Sequence, residues 1–127
     1  MGMSRVALFS KPTLLHNPKC TKSRAAKALL DERGVEYQER RYLEQPLTAA
    51  ELAELRKRLD RPAREWVRTG EDAFKAAGLS RDASDKEILA AMAKHPILIE
   101  RPILILATKA SVGRPTENIE ALLDEMD

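Results

Sequence analysis

The chain has a single cysteine, Cys20, which lies in a polar, turn-rich segment at residues 16–24 (HNPKCTKSR). The sequence pattern predicts that a strand ends just before this segment and that a helix begins at Thr21. A thiol at the first turn of a helix faces unpaired backbone N–H groups, which favour the thiolate and lower the thiol pKa. We therefore interpret Cys20 as a nucleophile, although a lone intracellular cysteine is more often an inert, buried side chain.

The same turn is suited to binding an oxyanion, because free N–H groups at a helix start attract phosphate-like groups. An anion beside a thiolate needs further cations, and the planar guanidinium of arginine binds two oxygens of a tetrahedral anion at once. Arg101 and Arg114 stand at the ends of strands that are expected to pair, and Arg68 stands at the end of a predicted helix. These three arginines are the candidate anion-binding residues.

His16, at the predicted strand end, is a further candidate. A histidine at this position either influences the ionisation of Cys20 or bonds to the backbone, and the residues alone leave both roles open. One cysteine forms no internal disulfide, and with two histidines far apart in sequence it predicts no metal site.

The elements that must position these residues follow from the hydrophobic periodicity. Capping boxes begin helices at Thr48 and Ser84, and Gly34 ends the helix that follows Cys20. The predicted strands cover residues 13–16, 35–43, 102–106 and 111–113, and the predicted helices cover residues 21–33, 48–59, 62–67, 71–77, 84–95 and 115–126.

This order of elements predicts an α/β fold with a mixed sheet and helices on both faces. A helical insertion at about residues 47–95 separates a βαβ half from a ββα half. We expect one domain over residues 1–127, in which residues 1–10 form a flexible or cloning-derived extension.

The composition narrows the class of protein. Lys and Arg total 22 and Asp and Glu total 20, so the net charge of +2 gives little support to nucleic-acid binding. No apolar run approaches the roughly 20 residues that span a bilayer, and the first ten residues do not resemble a secretory signal. With one cysteine, these features favour a cytoplasmic protein without a membrane role.

The segments that carry the candidate residues resemble those of the glutaredoxin-coupled, ArsC-like arsenate reductases. Residues 16–24 resemble that family's His-Asn-Pro-x-Cys loop, and residues 95–103 (HPILIERPI) resemble its His-Pro-Ile-Leu-Ile-x-Arg-Pro-Ile segment. Residues 113–115 (GRP) resemble a third motif, while residues 42–46 (YLEQP) and 66–68 (WVR) match in character and order. The resemblance runs from about Thr13 to Leu123 and implies a thioredoxin-like fold.

The resemblance also implies a role for each candidate residue. Cys20 is implied to be the nucleophile, and His16 to help set its ionisation. Three arginines are implied to hold the arsenate oxygens: Arg68, Arg101 and Arg114. The implied supporting residues beside the thiol are Asn17, Ser23, Arg24 and Pro102, the last in a cis peptide bond with Arg101.

The implied reaction is the reduction of arsenate to arsenite. Cys20 forms a thiol-arsenate adduct, glutathione attacks next, and glutaredoxin regenerates the thiol. Glutathione is thus a co-substrate, glutaredoxin is a partner, and no bound cofactor or metal is implied. A monomer is expected.

Three alternatives stay open, the last of which is a thioredoxin-like scaffold that carries out no chemistry. The first is a glutathione-dependent thiol reductase that acts on a substrate other than arsenate; Lys19, in place of the small residue often found before the cysteine, suggests a side branch of the family. The second is an Spx-type regulator that binds RNA polymerase. Such regulators usually carry Cys-x-x-Cys, whereas Ser23 replaces the second cysteine here and prevents an internal disulfide.

Overall fold

A computed structural model describes residues 11–126, so the predicted extension at residues 1–10 lies outside the described part of the chain. None of the helices in this part is long and apolar enough to cross a membrane. The strands are β1 (Thr13–Leu15), β2 (Gln38–Arg40), β3 (Ile103–Ile105) and β4 (Ala110–Val112). The helices are α1 (Thr21–Glu32), α2 (Ala49–Leu59), α3 (Asp72–Ala76), α4 (Asp85–Lys94) and α5 (Glu117–Met126), with 3-10 turns at Ala63–Glu65 and Pro96–Leu98.

The four strands form one mixed sheet in the order β2-β1-β3-β4. β1 is parallel to β2 and antiparallel to β3, which is antiparallel to β4. Successive side chains of a strand face opposite sides of a sheet. Leu14 and Leu104 accordingly pack with α1 and α5, while Leu15, Ile103 and Ile105 pack with α2 and α4 on the other face. The predicted α/β class, with helices on both faces and a helical insertion between β2 and β3, is confirmed.

The helix starts in the insertion are where the capping boxes predict them. The Thr48 hydroxyl accepts a hydrogen bond from the Glu51 N–H, and the Glu51 carboxylate accepts one from the Thr48 N–H. Ser84 and Glu87 form the same reciprocal pair at the start of α4. Each box satisfies two N–H groups that a helix start would otherwise leave unpaired.

The predicted strand over residues 35–43 is wrong in extent, because only Gln38–Arg40 forms β2. β2 is an edge strand whose partner, β1, has three residues, so a longer strand would have nothing to pair with. The N–H groups of Glu44 and Gln45 both donate to the Arg41 carbonyl, and the chain turns there. Tyr42 lies in this turn and is buried, with 1% of its surface exposed.

The predicted helix at residues 62–67 is also wrong, because only the 3-10 turn at Ala63–Glu65 forms. Val67 instead pairs with Ile99 in an antiparallel bridge. The Arg68 N–H donates to the Leu98 carbonyl at 2.7 Å on one side of this bridge. On the other side the Glu100 N–H donates to the Trp66 carbonyl at 3.0 Å. Arg68 therefore follows a bridge residue beside the segment that enters β3, and does not lie at a helix end.

Candidate active site

Cys20 lies at the junction between β1 and α1, where it is the N-cap residue of the helix. Its N–H donates to the Asn17 carbonyl at 2.9 Å, and its carbonyl accepts from the Arg24 N–H at 3.0 Å. The side chain is half-buried, and the cysteine is a free thiol. The sulfur is thus accessible at a helix start, as the sequence pattern predicts.

The pKa of the Cys20 thiol lies below its ordinary value. Burial raises this pKa, but the backbone N–H groups of Ser23 and Lys22, the Ser23 hydroxyl and the positive charge of Arg114 lower it by more. Arg114 Nη2 donates toward Cys20 Sγ at 3.8 Å. Donors and positive charge together stabilise the thiolate, which is the nucleophilic form of cysteine.

The supporting residues of the loop bond mainly to one another. The Asn17 N–H donates to Ser23 Oγ at 3.3 Å, and Asn17 Oδ1 accepts from the Lys19 N–H at 3.0 Å. Arg24 Nη1 donates to the Pro18 carbonyl at 3.0 Å. These bonds fix the turn before α1, so Asn17, Ser23 and Arg24 hold the shape of the loop that presents the thiol.

The three candidate arginines converge on one carboxylate, that of Glu100. Glu100 Oε1 lies 3.3 Å from Arg114 Nε, 3.8 Å from Arg68 Nε and 3.8 Å from Arg101 Nη1. Arg114 Nε also donates to the Arg101 carbonyl at 2.8 Å. The structure therefore brings together three guanidinium groups that are far apart in the sequence, and one of them contacts the Cys20 sulfur.

Arg101 has donors that nothing in the described part of the chain accepts. Its side chain is 13% exposed, and its Nε and Nη1 are buried without a hydrogen-bond partner. Buried polar groups in folded proteins are almost always hydrogen-bonded, because leaving one unpaired costs free energy. Unfilled donors on a buried cation beside two further arginines indicate a place for an anion.

Arg101 and Arg114 are brought together by the packing of β3 against β4. The Arg101–Pro102 peptide bond is cis, in agreement with the implied geometry. The Pro102 carbonyl accepts from the Gly113 N–H at 2.8 Å, directly before Arg114. This bond continues the β3–β4 pairing beyond the strand ends, so it holds the two arginines next to each other.

Sequence reasoning missed two residues of this site, Glu100 and Tyr42. Burial raises the pKa of Tyr42, which keeps its hydroxyl protonated. The charges of Cys20 and Glu100 also raise this pKa, whereas those of Arg68 and Arg114 lower it. Tyr42 is thus close enough to the thiol and to two of the arginines for their charges to act on its hydroxyl. Both residues are inside segments that carry the resemblance, but Glu100 is at a variable position of its motif and therefore gave no signal.

His16 is buried, with 2% of its surface exposed, and its backbone N–H donates to the Arg40 carbonyl at 2.9 Å. Burial lowers the pKa of His16; the charge of Glu39 raises it, and those of Lys27 and Arg41 lower it. The imidazole is therefore neutral at neutral pH. The structure places His16 at the base of the loop, and its influence on the Cys20 thiol stays a prediction.

Comparison with known proteins places these residues in a family context. The ArsC family matches residues 15–122. An arsenate reductase of Neisseria meningitidis serogroup A is 45% identical over 112 residues, which cover 87% of this chain and 96% of that protein. An arsenate reductase of Haemophilus influenzae is 37% identical and covers 87% of this chain and 97% of its own. The solved arsenate reductase of Vibrio cholerae has a TM-score of 0.79 at 39% identity, covering 86% of this chain and 95% of its own. The predicted thioredoxin-like fold is thereby confirmed.

Proposed function

Because the chain belongs to the ArsC family, we propose that it reduces arsenate to arsenite, with Cys20 as the nucleophile. The observation that carries the proposal is a single site that holds both a thiol of lowered pKa and three convergent arginines. A thiolate beside an anion-binding cluster is the combination that an attack on a tetrahedral oxyanion requires.

The arginines bind the substrate in this proposal. Arsenate oxygens accept the unfilled donors of Arg101 and further N–H groups of Arg68 and Arg114. Charge-assisted hydrogen bonds of this kind are shorter and stronger than neutral ones. The positive charges also reduce the repulsion between the anion and the Cys20 thiolate, which would otherwise oppose their approach.

The first chemical step joins the thiol to arsenic. The Cys20 sulfur donates an electron pair to arsenic, an As–O bond breaks, and the oxygen leaves as water after it gains protons. Arg114 contacts the attacking sulfur, so it supports both the thiolate and the correct orientation of the anion. The product is a thiol-arsenate adduct in which arsenic is still As(V).

The second step reduces arsenic with an external thiol, glutathione, because the chain has one cysteine. The glutathione thiolate attacks the Cys20 sulfur, the S–As electron pair stays on arsenic, and arsenite is released. Two thiols are thus oxidised to one mixed disulfide while arsenic gains two electrons. Glutaredoxin then reduces the disulfide by thiol–disulfide exchange and restores Cys20.

A steady-state assay with arsenate, glutathione and glutaredoxin tests the proposal. We expect turnover by the parent protein and none above background by Cys20→Ser. Arg101→Ala should lower kcat/KM for arsenate by about 100-fold, since it removes charged donors to the anion. The free energy of unfolding should change far less than the activation free energy, because two of the deleted donors have no hydrogen-bond partner among the described residues.

The proposal is wrong if the parent shows no Cys20-dependent arsenate turnover with either glutathione alone or glutathione with glutaredoxin. Turnover of another disulfide or oxyanion substrate under the same conditions would then favour the alternative thiol reductase. Unchanged kinetics of Arg101→Ala would exclude this arginine from the substrate site.

A further inference from the structure

We infer that Glu100 is the resident ligand of the three arginines, and that an incoming oxyanion must displace its carboxylate in order to bind. Glu100 is then an affinity-determining residue that keeps weakly bound anions away from the three arginines. The inference deepens the proposed function, on which it rests for the identity of the substrate, but it concerns anion binding and not the reaction.

The contacts of Glu100 Oε1 resemble those expected of a substrate oxygen. This one atom is the shared neighbour of Arg68 Nε, Arg101 Nη1 and Arg114 Nε, at 3.8, 3.8 and 3.3 Å. It also accepts a hydrogen bond from the backbone N–H of Arg101 at 3.3 Å. An oxyanion that binds all three guanidinium groups would therefore compete for the position that Oε1 occupies.

Glu100 pairs the charges of the arginines but does not satisfy the donors of Arg101. Arg101 Nε and Nη1 are buried without a hydrogen-bond partner, although Glu100 Oε1 lies 3.8 Å from Nη1. The Arg114 Nε donates to the Arg101 carbonyl instead. A free tetrahedral anion has more oxygens and no tether, so it can align with donors that the Glu100 side chain does not reach.

The cost of displacement makes Glu100 a filter for affinity. A carboxylate attached to the same backbone is present at a high effective concentration, so every entering anion competes with it. The apparent affinity for an anion equals the intrinsic affinity multiplied by the fraction of protein in which Glu100 does not occupy the arginines. Removing the charge from this side chain should therefore tighten anion binding, although it also removes the ion pairs of Glu100 with the arginines.

Glu100→Gln tests the inference with inorganic phosphate as an unreactive tetrahedral probe. Phosphate bound beside Cys20 should slow alkylation of the thiol by iodoacetamide, and the degree of protection against concentration gives a dissociation constant. Because iodoacetamide is uncharged, it does not compete for the arginines. We expect the dissociation constant of phosphate to be about tenfold lower for Glu100→Gln than for the parent.

The same alkylation series, recorded against pH, supplies a second readout. The Gln side chain no longer offsets the charge of Arg114, which contacts the sulfur. The pKa of Cys20 should therefore fall in Glu100→Gln relative to the parent. A purely structural role of Glu100 would not produce this shift together with tighter phosphate binding.

Two variants control for charge and for folding. Glu65→Gln removes an exposed carboxylate that pairs with Arg61, and it should leave the phosphate affinity unchanged. Glu100→Asp keeps the charge and should stay nearer to the parent than to Glu100→Gln in phosphate affinity. Circular dichroism of each variant establishes that it is folded before the affinities are compared.

Weaker phosphate binding by Glu100→Gln would overturn the inference and show that Glu100 instead holds the arginines in place for the anion. An unchanged affinity, or a parent protein that phosphate does not protect, would overturn it as well. Failure of the proposed function is distinguishable from failure of this inference, because the two are measured separately. If the phosphate results were as expected but arsenate were not turned over, the proposed reaction would be rejected and the role of Glu100 would stand.

Discussion

At the scale of single residues, the ionisation of Cys20 depends on very few contacts. Burial opposes the thiolate, while N–H groups of the first turn of α1 and the charge of Arg114 favour it. Arg114 belongs to a segment 94 residues further along the chain, so one long-range contact adjusts a property that the local turn establishes. The proposed nucleophile is therefore coupled to the residues that are proposed to bind its substrate.

Arg114→Ala should raise the pKa of the Cys20 thiol, because it removes a positive charge that stabilises the thiolate. The rate of alkylation by iodoacetamide, measured from pH 5 to pH 10, reports the fraction of thiolate. Below the thiol pKa, the variant should react more slowly than the parent, and at high pH the two rates should converge.

Arg114→Lys keeps a cation and should give an intermediate thiol pKa, while Arg61→Ala removes an exposed arginine that pairs with Glu65 and should have no effect. If Arg114→Ala had the thiol pKa of the parent, the 3.8 Å contact would have no electrostatic consequence.

At the scale of elements, the position of Arg114 depends on the close packing of three segments. Gly113 directly follows β4, and it packs closely against Ile119 of α5 and against Pro102, the residue before β3. A Cβ atom built on Gly113 would lie 2.5 Å from Ile119 Cδ1 and 3.0 Å from Pro102 Cγ. Ile119 is fully buried, so a side chain at position 113 would require Ile119 or Pro102 to shift within a packed region.

Gly113→Ala should lower the free energy of unfolding by about 1 to 3 kcal/mol, the usual cost of adding atoms to a packed interior. It should also weaken phosphate protection of Cys20, since Arg114 follows Gly113 directly. Urea unfolding and the alkylation assay measure the two effects.

Gly70→Ala is the matched control, because a Cβ atom on Gly70 meets nothing within 4 Å. It should leave stability within about 0.5 kcal/mol of the parent. Equal stabilities for the two alanine variants would show that the region around Gly113 adjusts without cost.

At the scale of the whole molecule, ion pairs join elements that the sheet alone does not hold together. Lys27 in α1 donates to Glu39 Oε1 in β2 at 2.8 Å and to the Tyr37 hydroxyl at 3.1 Å. Arg41 Nε donates to the other oxygen of Glu39 at 2.7 Å. These bonds attach the edge strand β2 to the helix that carries Cys20 at its start.

The Glu39 contacts should make stability depend on pH in the acid range. The hydrogen bonds from Lys27 and Arg41 lower the pKa of Glu39 to about 2. A glutamate carboxylate in an unfolded chain titrates at about pH 4.3, so the contribution of Glu39 to stability is complete above that pH and is lost as the pH falls toward 2. Glu39→Gln should therefore reduce stability at pH 7 and weaken its decline below pH 5.

Urea unfolding of the parent and the variant at a series of pH values measures this slope. Glu36→Gln, an exposed carboxylate near the same strand, should keep the slope of the parent. An equally steep decline in Glu39→Gln would assign the acid sensitivity to other carboxylates.

The amino-acid sequence determined the features that depend on neighbouring residues. Cys20 at a helix start, the capping boxes at Thr48 and Ser84 and the buried central strand β3 all follow from patterns a few residues long. Local hydrogen bonds and side-chain periodicity set these features, so they are legible without a structure. The motifs around the three arginines also indicated the family.

Only the tertiary structure decided how far β2 extends, that Arg68 follows a bridge to Ile99 instead of a helix, and that Glu100 joins all three arginines. The length of β2 depends on its partner strand, and the meeting of Arg68, Arg101 and Arg114 depends on the Val67–Ile99 bridge and on the register between β3 and β4. Pairing between distant segments is set by the packing of the whole core, to which no short stretch of sequence corresponds.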